Sequence, residues 1–345
     1  MATNALPPFS FKANKYDQSI LSGRIQHFYE VTSPFTLFTS SETLKNSVSI
    51  LNKFKTNTLL EEKKYMDMKK NDPFGFNKML WDARSIKESI LHPDTNEPIF
   101  MPFRFSFFAP AQFIIIPLVI APSTIASPFR TTIMHWANQS YNAGCNYANR
   151  NISSPTSMRT LAEGYTGAVA SSVILALGAT AVVNKAGALP KLLQSTFRIG
   201  FPFLACAVAG CTNLILVRKE ELSDGIQLFD ENDNELGKSV LAAKNALGKC
   251  CAARFAWNAP VMIGVPLMLA GLQHTLPILF KSTKIGMATT VLVSGLTCMV
   301  AVPPALALFP QYDSMDVNDV EPEFQNMTID GQTTTIKRVY FNKGL

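Results

Sequence analysis

The sequence predicts an all-α multi-pass membrane protein with about five transmembrane helices, a soluble helical N-terminal region and a small hairpin between spans three and four. Hydrophobic residues make up 47% of the 345 residues and charged residues only 16%, and the mean hydropathy is positive, which favours a lipid environment. Five windows free of Asp, Glu, Lys and Arg approach or exceed the roughly 20 residues that span a bilayer: 105–127, 164–184, 199–217, 255–273 and 285–309.

Residues 1–102 form the soluble region, because charged side chains of both signs are frequent there and the apolar residues follow helical spacing. Just before the first span lies HPDTNEP, residues 92–98. His92 and Asp94 are capable of binding a metal or moving a proton, but Pro93 and Pro98 favour a rigid turn with Thr95. A single His–Asp pair lacks the further ligands of a metal site, so we interpret these residues as a structural or gating motif.

The transmembrane bundle, 103–311, contains a polar helix at 135–150 after its first span. Asn138, Asn142 and Asn146 recur there every fourth residue and share one helix face, with Gln139 and Ser140 beside them. Amides offer both donors and acceptors and carry no charge, so this face suits a polar uncharged or zwitterionic ligand. A polar seam between helices is the alternative, and the spacing alone leaves both open.

Small residues recur through the second span, which predicts that it is the packing centre of the bundle. Asn213 and Asn258 are the only amides well inside the last three spans. An amide in lipid needs a partner, so each either joins helices or meets a substrate.

The hydrophilic loop 218–254 predicts a hairpin around Asp230, followed by an amphipathic helix from 240 to 254. The tail, 312–345, is expected to be only partly ordered. No nucleophile–base pair, metal cluster or phosphate loop stands out, so neither an enzyme nor a bound cofactor is expected. The positive charge is dispersed, which argues against nucleic-acid binding, and MATNALPPFSFK lacks the features of a cleaved signal peptide.

Several ordered motifs resemble one known family, the sideroflexins. YDQSILSGRIQHFYE resembles that family's opening W-D-Q-S, G-R and H-F-F motifs, with Tyr16 in place of Trp, and HPDTNE resembles H-P-D-T-G-E, with Asn96 in place of Gly. The remaining similar segments are WANQSYNAGCNYANR, DENDNELGKS, ALFPQYDSM and RVYFNKGL. The segment 57–77 is longer than usual for the family and carries no motif.

The resemblance implies a mitochondrial inner-membrane carrier of small amino acids, with serine as the leading substrate for some members of the family, feeding one-carbon metabolism. Spans without charge agree with a neutral cargo and argue against a tricarboxylate. The candidate lining residues are Asn138, Gln139, Ser140, Asn142 and Asn146, followed by Asn213 and Asn258. The alternative is a non-transporting inner-membrane assembly factor with protein partners, acting in respiratory-complex, iron or haem homeostasis.

Overall fold

A computed structural model describes residues 6–11, 14–92, 95–149, 157–185, 191–232, 234–325 and 336–343, with side chains except at 122, 179, 182–185 and 191–198. Pro93 and Asp94 of the predicted turn, Arg150 at the end of the predicted polar helix, and 326–335 and 344–345 of the tail lie outside the described residues. The chain forms two compact units, the first made of Met1–Gln112 with Gly144–Pro155 and the second of Phe113–Ala143 with Thr156–Leu345.

The first unit is helical, as predicted. Its helices are α1 (Leu21–Val31), α2 (Ser41–Lys55), α3 (Lys63–Asn71) and α4 (Pro73–Ile90). The Ser40 hydroxyl accepts a hydrogen bond from the backbone of Thr43 and so caps α2, and Asp72 caps α4 in the same way. A core of apolar side chains joins α2, α3 and α4, and it includes Phe9, Leu51, Leu59, Phe76, Leu80 and Trp81.

Two helices continue from one unit into the other, α5 (Phe105–Ile120) and α7 (Pro128–Ala148), and the four-residue α6 (Pro122–Ile125) lies between them. The sequence predicts one span over 105–127. The structure instead ends α5 after 16 residues, because Pro122 lacks a backbone N–H and starts a new helix. At about 1.5 Å per residue, α5 is about 24 Å long, shorter than a typical span.

Within the described residues, four helices are long and apolar enough to cross a membrane. They lie in α8 (Met158–Lys185), in α9 (Lys191–Val217), in the continuous helix Val240–Thr275, and in α13 (Thr283–Leu306). The fold class predicted from the sequence, a multi-pass helical membrane protein, is therefore confirmed.

The helix Val240–Thr275 begins earlier than the predicted fourth span. It consists of α11 (Val240–Ala259), a π-helical turn at Pro260–Gly264, and α12 (Val265–Thr275). The predicted amphipathic helix is thus continuous with the span. Pro260 has no N–H to donate, and a π-helical turn accommodates the break without ending the helix.

Helices α8 and α9 form the most extensive helix pair of the second unit. Glycines allow this close approach, since a Cβ built on Gly164 would lie 2.5 Å from Val217 Cγ2, and one on Gly167 would lie 2.2 Å from Leu216 Cδ1. The small residues of the second span thus allow close packing on α9, while its role as the packing centre of the whole bundle stays a prediction.

The predicted hairpin belongs to a larger sheet. After the short helix α10 (Lys219–Asp224), the sheet contains β1 (Ile226–Phe229), β2 (Glu235–Ser239), β3 (Tyr312–Asp316) and β4 (Arg338–Asn342), in the antiparallel order β2-β1-β4-β3. The turn between β1 and β2 is held by Asp230, whose carboxylate accepts from the backbone of Asn232 at 2.7 Å and of Asn234 at 2.8 Å.

The C-terminal segment closes a hydrophobic core under this sheet, so 312–325 and 336–343 are folded parts of the tail. Phe341 and Val339 are fully buried beside Leu228 of β1. The helical residue Phe324, in the one-turn helix α14 (Pro322–Gln325), packs against the same core. The apolar alternation of RVYFN is short, and it becomes a strand only because distant chain supplies the pairing partners.

Candidate functional site

Helix α7 carries the polar face that the sequence singles out. Pro128 occupies its first turn, where a missing N–H costs nothing, and the helix ends at Ala148, two residues before the predicted limit. His135, Asn138 and Gln139 are buried, with exposures of 2%, 6% and 4%. Buried polar side chains require hydrogen-bonding partners, so their neighbours define what this face can do.

His135 reaches helix α8. Its Nδ1 atom lies 2.7 Å from the hydroxyl of Ser172, which is itself fully buried. Sequence reasoning missed this pair, because it treated Ser172 only as a small packing residue. The bond joins α7 to α8 and fixes the orientation of the imidazole ring.

Asn138 reaches helix α9 and Ser140 returns to α8. The Asn138 amide nitrogen lies 3.9 Å from the thiol of Cys206, a long and weak contact. The Ser140 hydroxyl donates to the Trp136 carbonyl at 2.8 Å and lies 2.9 Å from the Tyr165 hydroxyl. The amide of Asn138 therefore keeps most of its hydrogen-bonding capacity, while the Ser140 hydroxyl is already engaged.

The other predicted lining residues of α7 lie further along the helix. Asn142 is half-buried in the second unit. Asn146 is exposed and belongs to the first unit. The structure thus places Asn138, Gln139, Ser140 and Asn142 on one stretch of the second unit, and Asn146 outside it.

Asn213 and Asn258 occupy different surroundings. Asn213 lies in the seam between α8 and α9, where its side chain would be 3.4 Å from a Cβ at Gly164. Asn258 is half-buried in α11, and its amide nitrogen donates to the Arg254 carbonyl at 2.7 Å. The position of Asn213 fits a polar seam between helices. In Asn258 the amide nitrogen is bonded to the backbone, and the side-chain amide oxygen is a different atom that this bond does not use.

Arg254 is a further polar residue of this helix, and it lies outside the charge-free windows of the sequence. It precedes the predicted fourth span by one residue, yet its side chain packs on α9, with Cδ 3.5 Å from a Cβ built on Gly210. Its guanidinium carbon lies 4.9 Å from the ring centre of Trp257, a distance typical of a cation–π contact. The helix that contains the predicted fourth span therefore carries a cationic side chain just before that span.

The turn that follows α4 contains His92 and Thr95. The backbone N–H of His92 donates to the Glu97 carbonyl at 2.8 Å, and the N–H of Asn96 donates to the His92 carbonyl at 2.9 Å. Asn96 has a φ of 55°, a left-handed conformation that glycine and asparagine adopt most readily. This conformation explains why asparagine is acceptable where the resembling motif has glycine.

A second polar cluster lies in the first unit, around a cavity of about 90 Å³. The Lys15 ammonium lies 2.9 Å from both carboxylate oxygens of Glu30. His27 lines the same cavity, and its burial lowers the pKa of its imidazole, although Glu30 and Glu88 act in the opposite direction. The unit therefore has an acid-sensitive group of its own.

Comparison with known proteins identifies relatives along the whole chain. The family model described as sideroflexins matches residues 10–345. The chain is 35% identical over 345 residues to a protein named Sideroflexin from Dictyostelium discoideum, with both chains covered completely. It is 34% identical to human Sideroflexin-5, over 98% of this chain and 94% of that one, and 31% identical to Sideroflexin fsf1 of Schizosaccharomyces pombe, again with full coverage of both. No solved structure matches the chain.

Proposed function

The chain belongs to the sideroflexin family, and we propose that it is a mitochondrial inner-membrane transporter of serine or a similar small neutral amino acid. In this proposal the transported serine supports one-carbon metabolism. The observation that carries the proposal is the pair of buried, uncharged polar side chains Asn138 and Gln139 on α7, of which Asn138 reaches α9, a helix with a candidate membrane span. Such a surface complements the hydroxyl and zwitterionic groups of serine without the desolvation cost of a fixed charge.

Helix breaks support a transport role. The π-helical turn at Pro260–Gly264 interrupts the helix Val240–Thr275, and π-helical turns occur frequently at functional sites. Interrupted helices in transporters supply backbone carbonyls and helix ends to substrates and coupling ions. The α5–α6 break before Pro122 has the same potential.

Asn142→Leu tests the proposed lining. We expect it to reduce serine uptake in proteoliposomes by about 10- to 100-fold, because an amide that contacts a polar substrate contributes about 1–3 kcal/mol. Asn52→Leu is the matched control, since Asn52 is exposed on α2 in the first unit and its replacement is expected to leave uptake unchanged.

Wild-type uptake from Asn142→Leu protein, at equal reconstitution, contradicts the lining role of Asn142. Wild-type protein that is folded but moves no amino acid contradicts transport itself and favours the non-transporting assembly role.

A further inference from the structure

Arg254 is a cation of the helical bundle, and the part of the chain that the structure describes offers it no anionic partner. Among the described residues, no carboxylate forms an ion pair with its guanidinium and no acceptor receives a hydrogen bond from it. The guanidinium lies over the Trp257 ring, and the side-chain stem lies beside Gly210 of α9. The two neighbouring cations differ, because Arg218 pairs with Glu221 at 2.5 Å and Lys249 pairs with Asp313 at 2.5 Å.

The position of Arg254 makes this lack of an anion significant. Gly210 precedes Val217, the last residue of the α9 span, by about two helical turns, or about 10 Å. A cation at that depth is costly unless it is compensated, and charged residues inside spans generally pair or line a substrate path. Trp257 offers only the face of its ring, which is a weaker partner than a carboxylate. Arg254 is half-buried, so protein atoms do not enclose its side chain completely.

We propose that the guanidinium of Arg254 binds the carboxylate of the transported amino acid, an inference that rests on the transport function proposed above. The planar guanidinium presents parallel N–H donors that match the two oxygens of a carboxylate. Its positive charge also balances the negative charge of the carboxylate, which the uncharged amides of α7 do not. The cargo is therefore a molecule with a free carboxylate.

Asn258 supplies a complementary group for the ammonium. It lies four residues after Arg254 on the same helix face, and its amide nitrogen is occupied by the Arg254 carbonyl. The amide oxygen is then the atom left to accept from a ligand N–H. A guanidinium and an amide oxygen one turn apart match the two charged ends of an α-amino acid.

Helix α9 brings the α7 amides close to this site. Cys206 contacts Asn138 of α7, and Gly210, one turn later, contacts Arg254 of α11. Positions four apart on a helix are about 6 Å from each other, so the two contacts lie on successive turns of one α9 face. In this arrangement Arg254 and Asn258 bind the amino-acid backbone, and Asn138 faces the side chain.

The test uses full-length protein, with serine binding in detergent and serine uptake in phosphatidylcholine vesicles as separate readouts. We expect Arg254→Gln to weaken binding and uptake by about 10- to 100-fold, as for a lost charge-assisted pair. Arg254→Lys, which keeps the charge but loses the paired donors, is expected to fall between Arg254→Gln and wild type. Lys284→Gln is the control, since Lys284 is exposed and its replacement removes the same charge.

A competition experiment on wild-type protein keeps the inference testable if Arg254→Gln does not fold. Ethanolamine, which is serine without its carboxylate, and serine methyl ester are expected not to compete with serine. Competition by either as strong as that of serine itself overturns the inference.

The remaining outcomes separate the inference from the proposed function. Wild-type uptake from Arg254→Gln overturns the role of Arg254 and leaves transport intact, whereas absence of uptake by wild type contradicts transport. A lipid phosphate is the other anion that could reach the guanidinium. Unchanged serine binding, combined with loss of a retained phospholipid in native mass spectrometry of Arg254→Gln, assigns Arg254 to lipid and overturns the inference.

Discussion

The close packing of α8 on α9 predicts that alanine is destabilising at Gly164 of α8 and tolerated at Gly178 of the same helix. At Gly178, an added Cβ meets nothing within 4 Å, so Gly178→Ala gains only helix propensity, up to about 1 kcal/mol. At Gly164, the added Cβ lies 2.5 Å from Val217 Cγ2 and 3.4 Å from the Asn213 carbonyl oxygen. Gly164→Ala therefore gains the same propensity but forces α9 to move.

The magnitude follows from these distances. Carbon atoms pack at about 3.5–4.0 Å, so the overlap at Gly164 is about 1 Å, and β-branched Val217 has little rotamer freedom to relieve it. Overpacking of this kind costs about 1–3 kcal/mol. The propensity gain cancels between the two variants, so Gly164→Ala is expected to be about 1–3 kcal/mol less stable than Gly178→Ala.

Thermal unfolding of both variants in one detergent measures this difference. At about 2–4 °C per kcal/mol, the melting temperature of Gly164→Ala is expected to be several degrees below that of Gly178→Ala. Equal melting temperatures refute the packing of α8 on α9 through Gly164.

Two further predictions concern polar groups. Ser172→Ala is expected to destabilise the protein by about 1–3 kcal/mol, because the buried His135 ring loses its hydrogen-bonding partner. Thermal melting compares this variant with Ser171→Ala, which loses only a hydrogen bond within its own helix. Equal stability of the two variants contradicts the prediction. The lowered pKa of His27 stabilises the fold above the unfolded value of about 6.5, and this stabilisation is lost as the pH falls from there through the folded pKa. His27→Asn is therefore expected to flatten the decline in melting temperature between about pH 7 and pH 5, whereas His274→Asn, at an exposed position, is not; identical profiles for wild type and His27→Asn contradict this.

The membrane character of the chain could be predicted from its sequence because charge-free windows report directly on the cost of placing ions in lipid. The same criterion gives no information on Arg254, which lies one residue before the predicted fourth span. A charge-free window ends, by definition, next to a charged residue. It therefore cannot show that the side chain of Arg254 packs beside Gly210 of another helix. The contact with Gly210 depends on tertiary structure that local composition does not encode.

The sheet shows a second limit of local patterns. The hairpin of β1 and β2 could be predicted, since its strands are separated by a short turn rich in Asp and Asn. Strand β4 could not, because Tyr340 pairs with Phe229 more than a hundred residues earlier in the chain. Its apolar side chains are buried only once α11 and β1 are in place.

The face of α7 was predicted as a unit, and the structure divides it. Spacing placed its amides on one side of a helix, which is a property of the backbone alone. Which of them are buried depends on the neighbours of each turn: α9 covers Asn138, whereas Asn146 is exposed. The assignment of these residues to a substrate remains a prediction.

The measurement that tests the account most directly is uptake of labelled serine by the purified full-length protein in proteoliposomes, with alanine, glycine, cysteine and citrate as competitors. We expect saturable uptake that small neutral amino acids inhibit and citrate does not. Uptake no greater than that of empty vesicles, from protein that is folded and correctly inserted, contradicts the assignment of this chain as an amino-acid transporter.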